Sequence, residues 1–407
     1  MEIGDPELVG IERVEAAGRL LDGIAERTPC ERSRALEEVV GGPAFLKCEN
    51  LQRAGSFKIR GAYTRISALS QAERGAGVVA ASAGNHGQGV ALAASLLGAR
   101  ATVFMPVGAA LPKLAATRGY GAEVILGGEV FGDAVAAAQE FAVRTGRVFI
   151  HPYDHPDIIA GQGTVGLELL DQCPEVRTVV VCAGGGGLLS GVALTVKSRR
   201  SDVRVVGVQA EGASTLIPSL AAGHPVTVAA PATIADGIAV NTPGELTLEH
   251  VRTYVDEVVT VTDEWIAQAV IFLLERAKLL AEPAGAAGVA AMLQGVGTIS
   301  PPVACVVSGG NVDPLVLLRI ISFGLSEADR YLVFRTRVPD RPGQLSRILA
   351  VIAEMGANVL GIEHHRLGHR IHLGEVEISF QLEAGGPDHA ARIRARLLEL
   401  GYPLEDT

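Results

Sequence analysis

Short, uninterrupted apolar runs recur from about residue 45 to residue 318, separated by longer stretches rich in Ala and Leu. The runs at 77–82, 101–105, 123–126, 179–182, 203–209 and 303–308 predict strands. Several show no polar alternation, the pattern of strands covered on both faces. Helical stretches between such strands predict parallel α/β layers. Glycine-rich turns follow two of the runs, where open α/β sheets bind ligands.

The pattern changes after residues 323–329. Residues 331–338 predict a strand, and Asp340-Arg341-Pro342-Gly343 a turn opening a helix with Leu345, Ile348, Leu349 and Ile352 on one face. Strands at 358–364 and 371–382 come next, then a helix with Ile393, Leu397 and Leu400 on one face and a short tail. This is the βαββαβ order of a ferredoxin-like domain. The chain thus divides near residue 325, with a small separate domain at 331–407.

Composition narrows the class of partner. A net charge of -10 disfavours nucleic acid and anionic membranes. Residues 178–196 are long and uncharged enough to raise a membrane span, but a β-branched first half and four glycines predict strand, loop and helix instead. The acidic start Met1-Glu2-Ile3-Gly4-Asp5 has no secretory pattern, and Cys30, Cys48, Cys173, Cys182 and Cys305 are odd in number without metal-type spacing. Both point to reduced thiols in a cytoplasm.

Four segments carry candidate chemistry. In Gly55-Ser56-Phe57-Lys58-Ile59-Arg60-Gly61-Ala62, a lysine sits among apolar and small residues. Burial lowers a lysine's pKa and frees its amine for Schiff-base chemistry, although the same stretch suits a lysine snorkelling at a helix start. Ser82-Ala83-Gly84-Asn85-His86 follows a strand and opens a helix, presenting backbone N–H groups that suit a carboxylate. Gly184-Gly185-Gly186-Gly187, before a helix beginning near Leu188, meets the requirement for a phosphate at a helix N-terminus. Ser308, in Ser308-Gly309-Gly310-Asn311, places a hydroxyl at a strand end. A Schiff-base lysine, a phosphate cradle, a carboxylate loop and a strand-end hydroxyl together describe a pyridoxal-phosphate site.

In these four motifs and their order the chain resembles the fold-type II pyridoxal-phosphate enzymes, and within them the threonine ammonia-lyases (threonine dehydratases). Pro152-Tyr153-Asp154, residues 161–166, residues 235–240 and Ala281-Glu282-Pro283-Ala284-Gly285 extend the similarity over essentially the whole chain. The resemblance implies two parallel-type α/β subdomains at 1–325, a small one at about 55–145 inserted in a larger one, and a C-terminal ACT regulatory domain at 331–407. It implies that Lys58 holds pyridoxal 5'-phosphate and takes the Cα proton. Gly184, Gly185, Gly186, Gly187 and Leu188 would bind the phosphate, Asn85 the ring hydroxyl and Ser308 the ring nitrogen. Ser82, Ala83, Gly84, Asn85 and His86 would line the substrate carboxylate, with Glu282 and Gly237 in support. Gly343 and Asn358 would lie near an amino-acid effector, isoleucine or valine, between paired ACT domains of a homodimer or homotetramer.

The implied reaction is β-elimination of water from L-threonine to 2-oxobutyrate and ammonia, and from L-serine to pyruvate, in isoleucine biosynthesis or threonine catabolism. Serine racemases carry a serine where this chain has Ala83, so an opposite-face proton donor is missing. In their cation segment Glu211 is followed here by Thr215 and Ile217, which removes a carboxylate. The alternatives are a serine or 3-hydroxyaspartate dehydratase or racemase on the same scaffold, and a non-catalytic amino-acid sensor. His151 and His155 are expected in a proline-bearing interdomain loop rather than as metal ligands, and His364, His365, His369 and His372 in a solvated hairpin, with pH sensing as the alternative.

Overall fold

Strands without polar alternation need protein on both faces, and the fold supplies it in two separate sheets. The computed structural model describes residues 7–82, 84–129, 131–327, 329–366 and 372–405. It falls into two units, Met1–Val316 and Leu317–Thr407. In chain order the first strands are β1 (Cys30–Arg32), β2 (Ala44–Cys48), β3 (Val78–Ala81), β4 (Ala101–Met105) and β5 (Glu123–Leu126). There follow β6 (Val148–Phe149), β7 (Thr178–Cys182), β8 (Arg204–Ala210), β9 (Glu257–Val261) and β10 (Val303–Val307).

One sheet has the order β1-β2-β10-β7-β8-β9 and is parallel except for β1. The other, β5-β4-β3-β6, is parallel throughout and takes its strands from residues 78–149. Its double covering is explicit. Val78 and Ala80 join an apolar cluster with Ile59, Ile66 and Val90, whereas Val79 and Ala81 join another with Phe104, Ala138 and Ala142.

Register brings the loops together. Val306 pairs with Val181 and Val307 with Cys48, so β2, β7 and β10 end side by side at the carboxyl edge of the larger sheet. The helix Lys58–Ser67 packs against the helices Asn85–Leu96 and Pro156–Gln172. Close approach at its first residue depends on Gly89, where a Cβ would lie 3.0 Å from the Lys58 carbonyl carbon. Among the described residues no helix is long and apolar enough to cross a membrane.

The second unit is built on one-sided strands. β11 (Tyr331–Pro339), β12 (Asn358–His365) and β13 (Glu375–Glu383) form an antiparallel sheet in the order β11-β13-β12. Leu332, Phe334, Val338, Ile378 and Phe380 point from it onto Ile348 and Ile352 of the helix Gln344–Glu354 and onto Ile393 and Leu397 of the helix Pro387–Glu399. Three details differ from the sequence expectation. The third strand begins at Glu375, with Ile371 outside the described residues. Leu400 caps its helix from beyond the last turn and is exposed, because the chain turns away at Gly401 (φ +82°). The last β element of the ferredoxin-like order is a single antiparallel bridge, with Glu405 and Arg335 exchanging N–H···O bonds of 2.9 and 2.8 Å.

Candidate active site

Lys58 begins its helix at the carboxyl edge of the larger sheet. The preceding residues tie it there: Phe57 N donates to the Ser308 carbonyl at 3.2 Å, and Ser56 bridges Gly309. The Lys58 ammonium donates to the Pro152 carbonyl at 2.9 Å. Burial pushes its pKa down to about 8, because the nearby Cys182 and Glu282 offset only part of the lost hydration. At neutral pH an appreciable fraction of such an amine is unprotonated.

Two residues on, Arg60 is fully buried and saturated. Its Nε and Nη2 each donate to Glu49 at 2.8 Å, and Nη1 and Nη2 donate to Glu168 at 2.6 and 3.0 Å. Burial alone would raise Glu49, but Arg60 and Lys47 hold its carboxyl below the usual range. This network anchors the Lys58 helix to β2 and to the helix Pro156–Gln172.

Pro152 leads directly to the glycine loop. A Cβ on Gly187 would fall 2.9 Å from Tyr153 Cβ, and Thr247 Oγ1 donates to the Gly185 carbonyl at 2.7 Å. Gly186 has φ +96°, which L side chains rarely adopt. Among the described residues, no hydrogen bond uses the amide of Gly184, Gly185 or Gly186. Gly187 and Leu188 begin the 13-residue helix Gly187–Arg199, whose first N–H groups have no intrahelical acceptor. A phosphate fits this cradle on both counts, free donors and a helix N-terminus.

Ser82 and Asn85 bring in the smaller sheet. Ser82 follows β3, and its Oγ accepts from Gly84 N at 3.0 Å; Ala83 lies outside the described residues. Asn85 Nδ2 donates to Glu282 Oε1 at 2.5 Å, and Asn85 Oδ1 accepts from Asn311 Nδ2 at 2.8 Å. His86 Nε2 must carry its proton, since it faces the Ile150 carbonyl at 2.9 Å. Burial and Lys58 push that imidazole down to about 3, so its ring stays neutral and its ring N–H is spent on Ile150. What the loop leaves for an anion are first-turn amides.

Glu282 sits buried at a helix start without capping it. Burial and Asp236 raise its pKa to about 7, against the lowering effects of Lys113, Asn85 and Lys58. Gly237 lies beside Ala284 and Glu282. Ser308 directly follows β10, almost fully buried, and Cys182 Sγ donates to its Oγ at 3.2 Å. The chain therefore gathers Lys58, the 82–86 loop, the glycine loop, Gly237, Glu282 and Ser308 around one edge of one sheet.

Other expected or suspected residues lie elsewhere. Gly343 starts a helix with φ +90°, and the Asn358 side chain donates to Glu383 at 3.1 Å, both in the second unit. His151 Nδ1 accepts from Asp154 N at 2.8 Å and His155 Nδ1 from Asp157 N at 3.1 Å, so both imidazoles cap backbone. Missed in the sequence reading was an ion pair across the site mouth, in which Lys113 beside Gly84 meets Asp236 beside Gly237. Asn311 was also missed as a tie, although the amide ending Ser308-Gly309-Gly310-Asn311 was a usable signal. Nothing near Lys113 in the sequence announced its partner.

Residues 21–309 match the family described as pyridoxal-phosphate dependent enzyme, and residues 332–401 match the ACT domain. The chain belongs to the pyridoxal-phosphate dependent enzymes. L-threonine ammonia-lyase of Thermotoga maritima is 48% identical over 97% of this chain and 98% of its own length. Among solved structures, maize serine racemase shares 37% identity at TM-score 0.74, covering 79% of this chain and 99% of that one. The processed form of threonine deaminase isoform 2 from Solanum lycopersicum shares 32% identity at TM-score 0.73, covering 78% and 95%.

Proposed function

We propose that this enzyme deaminates L-threonine to 2-oxobutyrate and ammonia, with L-serine as a further substrate giving pyruvate. The observation that carries this reading is Lys58. It is a half-buried amine with lowered pKa, hydrogen-bonded to a neutral carbonyl, at the same sheet edge as a free-amide glycine loop and a strand-end hydroxyl. Kinship of 48% to an L-threonine ammonia-lyase, through both domains, supports the substrate.

In this reading Gly184 to Gly187 and Leu188 hold the cofactor phosphate, Asn85 its ring hydroxyl and Ser308 its ring nitrogen. When bound, pyridoxal phosphate supplies the electron sink that makes a Cα proton removable. The amides at Asn85 and His86, with Ser82 and Gly84 lining the pocket, orient the substrate carboxylate. Lys58 takes the Cα proton from one face. Glu282 and Gly237 pack behind Asn85. Ser308 is a neutral ring partner, which suits prompt loss of the β-hydroxyl over return of the proton.

The solved racemase relative raises racemisation as a second reading. The sequence has alanine at position 83, where the racemases it resembles carry the serine expected as opposite-face acid, which favours elimination. We also assign regulation to residues 331–407, with isoleucine opposed by valine, in a cytoplasmic homodimer or homotetramer. Steady-state kinetics on threonine, serine and 3-hydroxyaspartate test the substrate, since one methyl is worth only about 1–3 kcal/mol to a pocket. A kcat/KM for serine far above that for threonine overturns the assignment. Response to isoleucine surviving deletion of residues 331–407 overturns the regulatory one.

A further inference from the structure

Cys182 ends β7 and Ser308 directly follows β10, neighbouring strands whose register sets their carboxyl ends side by side. Both residues are buried, at 2% and 3% exposure. Cys182 Sγ donates to Ser308 Oγ at 3.2 Å, which occupies one lone pair of the hydroxyl. The Ser308 carbonyl is taken by Phe57 N, the residue before Lys58. A hydroxyl has one proton and two lone pairs, so a donor arriving at the oxygen leaves the hydroxyl's own proton to point elsewhere.

We propose that Cys182 is a positioning residue for Ser308, holding its hydroxyl as a hydrogen-bond donor toward the ring nitrogen of the cofactor. The inference rests on the reading of Ser308 as the ring partner. Burial, chiefly, pushes the Cys182 thiol up to about 11, so it stays protonated and keeps an S–H to give the hydroxyl. With the thiol in place, a protonated ring nitrogen is disfavoured. It would take the second lone pair of Ser308 Oγ and turn the serine proton away from the ring, where sulfur, a weak acceptor, is the neighbour at 3.2 Å. Cys182 thereby biases the ring toward its neutral, weaker electron-withdrawing form, in which elimination outruns reprotonation.

The test uses purified full-length protein stripped of cofactor and titrated with pyridoxal phosphate, following the absorbance of the bound form and the dissociation constant. Ser308→Ala is expected to weaken binding and alter the spectrum. Cys182→Ala should move both in the same direction by a smaller amount, roughly two- to fivefold in dissociation constant, as for one weak hydrogen bond. Cys182→Ser, which keeps a donor, should restore most of the loss, and Cys182→Ala should add nothing in the Ser308→Ala background. An unchanged Ser308→Ala protein sinks the ring-partner reading itself. A clear Ser308→Ala effect, with Cys182→Ala either silent or fully additive to it, sinks only the role of Cys182. Melting temperatures of all four proteins separate these outcomes from loss of fold.

Discussion

Half-buried Lys58 and fully buried Arg60 are cations two residues apart on one helix, and the protein treats them in opposite ways. Arg60 is surrounded by Glu49 and Glu168 and is held firmly charged. Lys58 is given a single neutral carbonyl, and burial lowers its pKa. The first arrangement serves architecture, because a buried charge with a full set of partners locks three elements together. The second keeps an amine ready to lose its proton, and it is tolerated because the helix beneath is pinned by the first.

The largest expected effect is on the Lys58 side. Lys58→Ala should lower threonine turnover by about a thousandfold or more while leaving the melting temperature nearly unchanged. Comparable turnover in the variant would remove Lys58 from the chemistry. On the other side, Arg60→Met should destabilise the fold by about 3–5 kcal/mol in chemical denaturation, since it strands Glu49 in the interior. Adding Glu49→Met should recover part of that loss. A stable single variant would show that the network is ornamental to folding.

Glu282 sharpens the contrast, because it is a buried carboxyl in the Lys58 region without a full cationic complement. Its pKa of about 7 lies above the unfolded value, so the folded protein holds the extra proton between roughly pH 4.5 and 7. Its stabilising contribution is complete below that window and disappears as pH rises through 7. Glu282→Gln should therefore gain stability over the wild type between pH 5 and pH 8, by an amount on the order of 3 kcal/mol in the cofactor-free protein. A pH-independent difference would contradict the burial of an uncompensated acid.

The smallest effect serves as the control. Ser70 caps the helix Gln71–Ala76 in a reciprocal capping box with Glu73, on the surface. Ser70→Ala should cost about 1 kcal/mol and leave kcat and KM alone. If turnover falls with stability here, the separation between scaffold and site drawn from Lys58 and Arg60 is too strict.

Much of this was legible in the chain. The strand pattern follows from burial, since β3 and β10 are apolar at every position whereas β11 alternates. The glycine loop was legible because free amides at a helix start need small residues. Leu400 was misplaced because periodicity does not mark where a helix stops. His86 was expected at the carboxylate, yet its ring N–H faces Ile150, a partner 64 residues away.

The sequence by itself determined the two domains' layering, the glycine loop and the presence of an unusually apolar lysine, because each is written in residues that are close along the chain. Only the tertiary structure decided which charges are compensated. It set Glu49 and Glu168 around Arg60, left Lys58 with a carbonyl, and brought Asn311, Asn85 and Glu282 into one line. Those choices depend on strand register and on helices meeting through glycine. A pKa is set by the groups that packing brings within a few ångströms, whatever their separation in sequence.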